Sequence, residues 1–148
     1  MSFFIIICMN YKTIGLAILI LMAFVSVSAV FSADSPIVDG LNSTTNFTQA
    51  LNDAGVQNKT VLLIFDQDSC YYCDLLKKDV LSNANVQKQL EKDFIVVDID
   101  ITKQPQIASK YKVMGTPTCV FLDSKGNEVQ RIEGYVSAGE FLNLIKEI

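Results

Sequence analysis

The stretch Asp66–Leu81, DQDSCYYCDLLKKDVL, places two cysteines at the junction between two structural patterns. Before it, the run Thr60–Phe65 is continuously apolar and rich in strand formers. Such a run without alternation is typical of a central strand that is covered on both faces. After the second cysteine, apolar residues fall at Leu75, Leu76 and Val80, which is the spacing of a helix. The junction therefore predicts a buried strand that leads into a helix.

Outward from this junction, strand and helix patterns alternate along the chain. The predicted elements are a helix at Phe47–Ala54, the strand at Thr60–Phe65, the helix after Cys73, helical turns at Val86–Leu90, a strand within Asp93–Asp100, a helix within Gln104–Val113, hairpin strands at Thr118–Leu122 and Glu128–Ile132, and a last helix after Ser137. Ser137 and Glu140 form a capping box for that last helix. Parallel strands joined by helices, with an antiparallel pair last, predict a three-layer α/β domain that has a central mixed sheet and flanking helices.

The N-terminal segment 1–33 is strongly apolar. It contains one charged residue, Lys12, and Ile14–Phe31 carries no charge. Such a segment is long enough to cross a bilayer and also has the form of a signal peptide. A signal peptide cleaved near Ala33 and a retained membrane anchor both stay open, and both place the rest of the chain outside the cytoplasm. A start at Met9 would give the more ordinary charged-then-apolar order, so the true start also stays open.

The chain divides into three predicted segments. Residues 1–33 are the signal peptide or anchor, 34–45 form a polar tether broken by Pro36 and Gly40, and 46–148 form the folded domain. About 115 residues follow the leader, which suits one small domain with a real core. The formal net charge is −4, which argues against nucleic acid as a partner.

Cys70 and Cys73 are the candidate reactive pair. Cys8 lies in the leader, and Cys119 lies in a predicted strand, where a buried core thiol is expected. A zinc site normally needs four cysteine or histidine ligands, and the chain has no histidine, so no metal is predicted. An iron–sulfur cluster shared between two molecules stays open without support. A structural disulfide is a further alternative, but its very small loop would give little entropic gain. A redox pair is the preferred interpretation.

The position of the pair suggests its chemistry. Cys70 is predicted at a helix N-terminus, where unpaired backbone N–H groups favour thiolate over thiol. Cys73 follows one turn later and further inside, so Cys70 would attack a partner disulfide and Cys73 would resolve the mixed disulfide. Thr116-Pro117, just before a strand, is predicted to be a cis-proline turn that exposes the backbone of Thr116 to an extended peptide. The alternative is an ordinary trans proline at a strand's first position.

The CYYC motif after an apolar strand, with GTPT at Gly115–Thr118 and a terminal hairpin and helix, resembles the thioredoxin superfamily over roughly Phe47–Ile148. The intervening segment is similar to exported thioredoxin-like proteins, including the thiol-reducing C-terminal domain of the bacterial transmembrane disulfide reductase and periplasmic thioredoxins. The resemblance implies that Cys70 is the nucleophile, Cys73 the resolving cysteine and Pro117 the cis-proline beside the sulfurs. It implies no cofactor beyond a redox-active Cys70–Cys73 disulfide.

Several positions depart from ordinary thioredoxins. The buried acidic residue of the strand before the motif corresponds to Ile64, the tryptophan before the first cysteine to Ser69, and the Gly-Pro pair to Tyr71-Tyr72. Asp66 and Asp68 flank the site and are expected to be solvated loop residues. The alternative is that one of these carboxylates, or water, handles the proton of the exchange reaction. Tyr71 and Tyr72 are predicted to rim a substrate surface, since tyrosine offers apolar area with a polar tip.

Together these patterns predict an exported or membrane-tethered thiol–disulfide oxidoreductase that acts on protein cysteines. Its predicted substrate-binding residues are Tyr71, Tyr72, Thr116 and Pro117. The alternative is a non-catalytic thioredoxin-fold module that binds extended peptides or senses redox state. The expected partners are protein thiols and disulfides and a redox protein that resets the pair; a membrane-embedded carrier is the natural candidate if the leader is retained. The direction of electron flow stays open, because about 30 mV of potential already corresponds to about 1.4 kcal/mol.

Overall fold

The computed structural model describes residues 36–148, so the predicted leader or anchor at 1–33 lies outside the described residues. The elements are β1 (Ser43–Thr44), α1 (Phe47–Gln57), β2 (Thr60–Asp66), α2 (Tyr71–Leu75), which continues as a π-helical segment (Leu76–Leu81), α3 (Ala84–Asp93), β3 (Phe94–Asp100), α4 (Pro105–Lys110), β4 (Thr118–Leu122), β5 (Glu128–Glu133) and α5 (Ala138–Glu147). Within 36–148, the model contains no helix with the length and apolar character that a membrane span needs.

The strands form one mixed sheet in the order β1-β3-β2-β4-β5. Strand β3 runs parallel to both β1 and β2, whereas β4 is antiparallel to β2 and β5 is antiparallel to β4. Strand β2 has a neighbour on each side and is buried from Val61 to Asp66, as its continuous apolar run predicts. At its centre, Ile64 lies in register between Asp98 of β3 and Cys119 of β4.

Helices cover both faces of the sheet and enclose two apolar clusters. One face packs against the π-helical segment, α3 and α5; its cluster includes Leu62, Ile64, Leu76, Val96 and Phe141. The opposite face packs against α1 and α4; its cluster includes Ala54, Leu63, Phe65, Val97 and Ala108. Successive residues of a strand point to opposite layers, and the predicted three-layer α/β architecture is confirmed.

Local sequence signals begin and end the helices. Asn46 caps α1, because its side chain accepts a hydrogen bond from the N–H of Gln49 at 3.0 Å. The same helix ends at Asn58, which adopts the left-handed region with φ 51°. Ser137 caps α5 by accepting from the N–H of Glu140 at 3.3 Å, as predicted. These caps fix the ends of two of the helices that cover the sheet.

The segment before α1 belongs to the folded domain. Leu41 is buried in the first apolar cluster, and Ser43–Thr44 pairs in parallel with Val96 and Val97 of β3. The prediction of a polar tether over 34–45 is therefore wrong for these residues. The mostly polar composition of the segment concealed the one leucine that packs into the core and the two residues that extend the sheet.

Candidate active site

The two cysteines of the CYYC motif are joined by a disulfide at the start of α2. Their Cα atoms are 5.2 Å apart. Cys70 is the N-cap residue of α2 and is half-buried, whereas Cys73 lies in the first turn and is 2% exposed. The predicted arrangement, with the first sulfur nearer to solvent and the second further inside, matches this geometry.

The chain reaches the site through a sharp turn after β2. Ser69 adopts a left-handed conformation with φ 60°, which turns the backbone from the strand into the helix. The Sγ atom of Cys70 then accepts a hydrogen bond from the backbone N–H of Cys73 at 3.2 Å. An N–H group aimed at a sulfur stabilises negative charge on it, so the same contact would favour a Cys70 thiolate in the reduced protein.

The predicted cis-proline turn meets the disulfide. The Thr116-Pro117 bond is cis, as the sequence predicted. The hydroxyl of Thr116 donates to Sγ of Cys70 at 3.4 Å, although the two residues lie 46 positions apart. Pro117 is buried, and its carbonyl accepts from the N–H of Gly134 at 2.8 Å, which ties the turn to the end of β5. The structure therefore brings both motifs of the sequence analysis together.

Exposed apolar side chains flank both motifs. Tyr71 and Tyr72 are 69% and 57% exposed, and their rings meet edge to face with centroids 5.4 Å apart. Met114, just before the cis-proline turn, is 95% exposed, and Tyr135 follows the glycine that bonds to Pro117. The sequence motifs did not point to Met114 or Tyr135, although a methionine directly before GTPT is a usable signal.

An ion pair lies at the end of β2. Asp66 is 7% exposed and accepts a hydrogen bond from the ammonium group of Lys77 in the π-helical segment. The expectation that Asp66 is a solvated loop residue is therefore wrong, because β2 extends one residue further than its apolar run. Burial on its own lowers the pKa of Lys77, but the hydrogen bond to Asp66 and the nearby carboxylates raise it above its ordinary value.

A second, half-buried carboxyl lies on β3 near this pair. Asp98 is in register with Ile64, and burial followed by the charge of Asp66 raises the pKa of its carboxyl to about 6. Asp100, two residues on, bonds to Lys103, which together with a neighbouring threonine lowers the pKa of Asp100. The sequence motifs did not point to Asp98; its signal is an acidic residue that interrupts an apolar strand.

Cys119 lies apart from the disulfide. It is buried in β4 between Ile64 of β2 and Ile132 of β5, and it is not bonded to another cysteine of the described range. Burial raises the pKa of its thiol to about 12, which suppresses the thiolate form. The expectation of a buried core thiol is confirmed.

A protein-family model described as a thioredoxin-like domain matches residues 47–148, which include the disulfide and the cis-proline turn. The chain belongs to the thioredoxin-like domain family. Membership in the thioredoxin superfamily of thiol–disulfide oxidoreductases, which the CYYC and GTPT motifs predicted, is thus confirmed, and Cys70–Cys73 is the redox-active pair of this thioredoxin-like domain.

Curated relatives of this thioredoxin-like domain carry the name thiol:disulfide interchange protein DsbD. The protein from Colwellia psychrerythraea is 33% identical over 101 residues, which cover 64% of this chain and 17% of the relative. The one from Photorhabdus laumondii is 36% identical over 104 residues, which cover 65% of this chain and 18% of the relative. The chain thus spans less than a fifth of the length of the curated relatives it matches.

Solved structures agree with the thioredoxin-like fold. A thioredoxin from Thermus thermophilus superposes with a TM-score of 0.65 at 31% identity, over 71% of this chain and 85% of that one. The oxidised C-terminal domain of DsbD from Neisseria meningitidis superposes with a TM-score of 0.56 at 21% identity, over 72% of this chain and 98% of that one. The second likeness concerns the fold alone.

Proposed function

We propose that this protein exchanges disulfides with the cysteines of other proteins outside the cytoplasm, through a mixed disulfide. The observation that carries the proposal is the bonded pair itself: Cys70 at the accessible start of α2, with Cys73 buried behind it and the hydroxyl of Thr116 on the outer sulfur.

In the reducing direction, the thiolate of Cys70 attacks a client disulfide. One client sulfur leaves with the bonding electron pair, and a bond forms between Cys70 and the other client sulfur. The sulfur of Cys73 then loses its proton and attacks Cys70, which closes the Cys70–Cys73 disulfide and releases the second client sulfur. The client gains two electrons, the pair loses two, and the reverse sequence oxidises a client dithiol. The two sulfurs carry the electrons, so the proposed reaction needs no further cofactor.

The apolar side chains beside the motifs suit a protein client. We assign substrate contacts to Tyr71, Tyr72, Thr116 and Pro117, as the sequence predicted, and we add Met114. Tyrosine and methionine offer apolar area that can adapt to different client segments, and an extended client could pair with the backbone of Thr116. A small disulfide would gain little from this surface.

The N-terminal sequence supports the proposed location. Ile14–Phe31 carries no charge and follows Lys12, which is the order that exports the residues behind it. The relatives' name, thiol:disulfide interchange protein, agrees with a second redox protein that resets the pair. If the N-terminal segment stays uncleaved, it holds the domain at the membrane, where a membrane-embedded carrier could reach the pair.

Insulin reduction by dithiothreitol tests the proposal. The full chain should accelerate the precipitation of insulin chains, and Cys70→Ser should abolish the acceleration. Cys119→Ala is the matched control, because it removes a thiol that lies outside the disulfide, and it should keep the activity. Wild-type turnover in Cys70→Ser would contradict the proposal and would favour the non-catalytic, peptide-binding alternative.

A further inference from the structure

Asp98 carries a buried carboxyl oxygen that the described residues leave without a partner. Its Oδ1 atom is enclosed, and none of the residues from 36 to 148 offers it a hydrogen bond. Strand alternation places Asp98 on the same face as Val96, which packs toward the π-helical segment. A buried carboxylate without a partner is costly, so this group favours taking up a proton.

Four charged groups act on Asp98 from the elements around it. Asp66 faces it from β2, Lys77 from the π-helical segment, Asp100 from the same strand and Lys103 from the loop after β3. Burial and the negative charges of Asp66 and Asp100 raise its pKa, the two lysines lower it, and the result is about 6. Asp98 is therefore largely ionised at neutral pH and can still accept a proton.

Cys73 lies on the side of the helical stretch that faces the sheet, because Leu76 and Val80, three and seven residues on, belong to the first apolar cluster. Lys77 lies four residues after Cys73, so the two side chains leave the same side of the helical stretch. The ammonium of Lys77 reaches Asp66 and acts on Asp98 at the sheet face. Cys73 is itself buried. The side chains of Cys73 and Asp98 are therefore enclosed by the same two layers.

The two neighbouring carboxyls are already engaged. Asp66 accepts the hydrogen bond of Lys77, and Asp100 bonds to Lys103 at 2.7 Å. Each carboxylate is thus paired with a lysine, and the contacts with Lys103 and Thr102 lower the pKa of Asp100. Asp98 differs from both because its buried Oδ1 atom has no hydrogen-bond partner among the described residues.

We propose that Asp98 is the proton acceptor for the Cys73 thiol in the step that resolves the mixed disulfide, an inference that rests on the proposed function. The Sγ–H proton of Cys73 passes to the carboxylate of Asp98, and the sulfur attacks Sγ of Cys70. The bond between Cys70 and the client breaks, and the client sulfur leaves with the electron pair. Asp98 then returns its proton to solvent, where the client thiolate is protonated. The client is reduced and the cysteine pair is oxidised.

Oxidation of the reduced full chain by glutathione disulfide separates the two chemical steps. Cys70 first forms an adduct with glutathione, and Cys73 then displaces the glutathione; acid quenching and mass spectrometry follow both. In Asp98→Asn, we expect the adduct to accumulate, because its decay near pH 7 should slow roughly a hundredfold, as when a positioned general base is lost. The defect should shrink as the pH rises and Cys73 ionises without help. Asp98→Glu, which keeps a carboxyl, should recover much of the decay rate.

Asp74→Asn is the matched control, since it removes the same charge one residue from Cys73 but on the exposed side. Decay of the adduct at the wild-type rate in Asp98→Asn, or an equal slowing in Asp74→Asn, would overturn the inference. If Asp98→Asn does not fold, the pH dependence of adduct decay in the wild-type protein decides instead. A decay rate that rises with a midpoint near pH 6 supports the inference. A rate that rises only at the higher pH where a thiol ionises overturns it. Failure of the wild-type pair to react with glutathione disulfide at all would contradict the proposed function itself.

Discussion

At the scale of single residues, the donors around Cys70 prepare its sulfur for exchange. The hydroxyl of Thr116 and the N–H of Cys73 both point at Sγ of Cys70, at 3.4 and 3.2 Å. Hydrogen bonds to the charged form of a thiol lower its pKa. We therefore expect part of Cys70 to be thiolate at neutral pH in the reduced protein, which is what attack on a client disulfide requires.

Thr116→Val should raise the pKa of the Cys70 thiol. The variant keeps the shape of the side chain but loses one donor, and a net hydrogen-bond contribution of about 1 kcal/mol corresponds to roughly 0.7 pH units. The pH dependence of alkylation of Cys70 by iodoacetamide measures the change. Thr118→Val is the control, because the hydroxyl of Thr118 bonds to the carbonyl of Gly115 and not to the sulfur. Equal alkylation profiles in all three proteins would contradict this role of Thr116.

Asp98 should make the stability of the disulfide form fall as the pH rises. Its pKa is raised to about 6 in the fold from an ordinary value of 3.8. The native state therefore holds a proton that the unfolded chain has already lost, and the free energy of unfolding decreases between about pH 4 and pH 6. Asp98→Asn cannot lose this proton. The free energy of unfolding of the variant minus that of wild type should therefore increase by about 1–2 kcal/mol between these pH values, after allowance for the partial exposure of Asp98. Urea unfolding at several pH values tests this; a difference that stays constant with pH would speak against it.

At the scale of elements, the patterns that depend on neighbouring residues predicted the fold well. The apolar run of β2, the hairpin of β4 and β5 and the cap at Ser137 all agree with the structure. The contacts that join distant segments were harder to foresee. Asp66 and Asp98 become one charged cluster because β2 and β3 are parallel neighbours in a particular register, and the π-helical segment then adds Lys77. No local pattern encodes that register.

Strand β1 and the nearby Leu41 show the same limit at an edge of the sheet. Two residues are too few to give an alternating pattern, and Leu41 is one of three aliphatic residues, with Ile37 and Val38, in a mostly polar segment. Strand β1 pairs with the edge of β3, and Leu41 fills space in the apolar core. Neither the edge nor the space exists before the domain has folded. Segment 36–45 is therefore part of the domain that any shortened chain must keep.

Leu41→Ala should destabilise the protein by about 2–4 kcal/mol, as expected for a large side chain removed from a packed core. A tether residue would have almost no effect. Val56→Ala is the matched control, since Val56 is exposed on α1 and its truncation should change stability by less than about 0.5 kcal/mol. Chemical unfolding of both variants makes the comparison. Equal stabilities for the two variants would restore the tether interpretation.

At the scale of the whole molecule, apolar exposure accompanies the redox pair. Tyr71, Tyr72, Met114 and Tyr135 flank the disulfide and the cis-proline turn, while the thiol of Cys119 is enclosed in the sheet. One end of the sheet thus carries the reactive sulfurs together with the surface that a client would cover. We therefore expect the exchange reaction and the choice of client to depend on different side chains.

Met114→Ala should therefore change the reaction with proteins and spare the reaction with small disulfides. We expect KM for a reduced or disulfide-bonded protein client to rise about fivefold, which corresponds to about 1 kcal/mol of lost apolar contact. The rate with glutathione disulfide should stay unchanged. Val129→Ala is the control, because Val129 is an exposed apolar residue of β5 away from both motifs. Loss of reactivity toward both kinds of substrate would show that Met114 supports the pair itself.

Trapping of the mixed disulfide tests the central claim most directly. In the Cys73→Ser chain, Cys70 should form a covalent adduct with a disulfide-bonded protein client, and the adduct should persist until dithiothreitol releases it. In the Cys70→Ser chain, no such adduct should form, because the remaining thiol of the pair is buried. Peptide mapping identifies the bonded cysteine. An adduct through Cys70 that is stable in Cys73→Ser and short-lived in wild type is the predicted result; absence of an adduct, or its attachment to Cys119, would contradict the account.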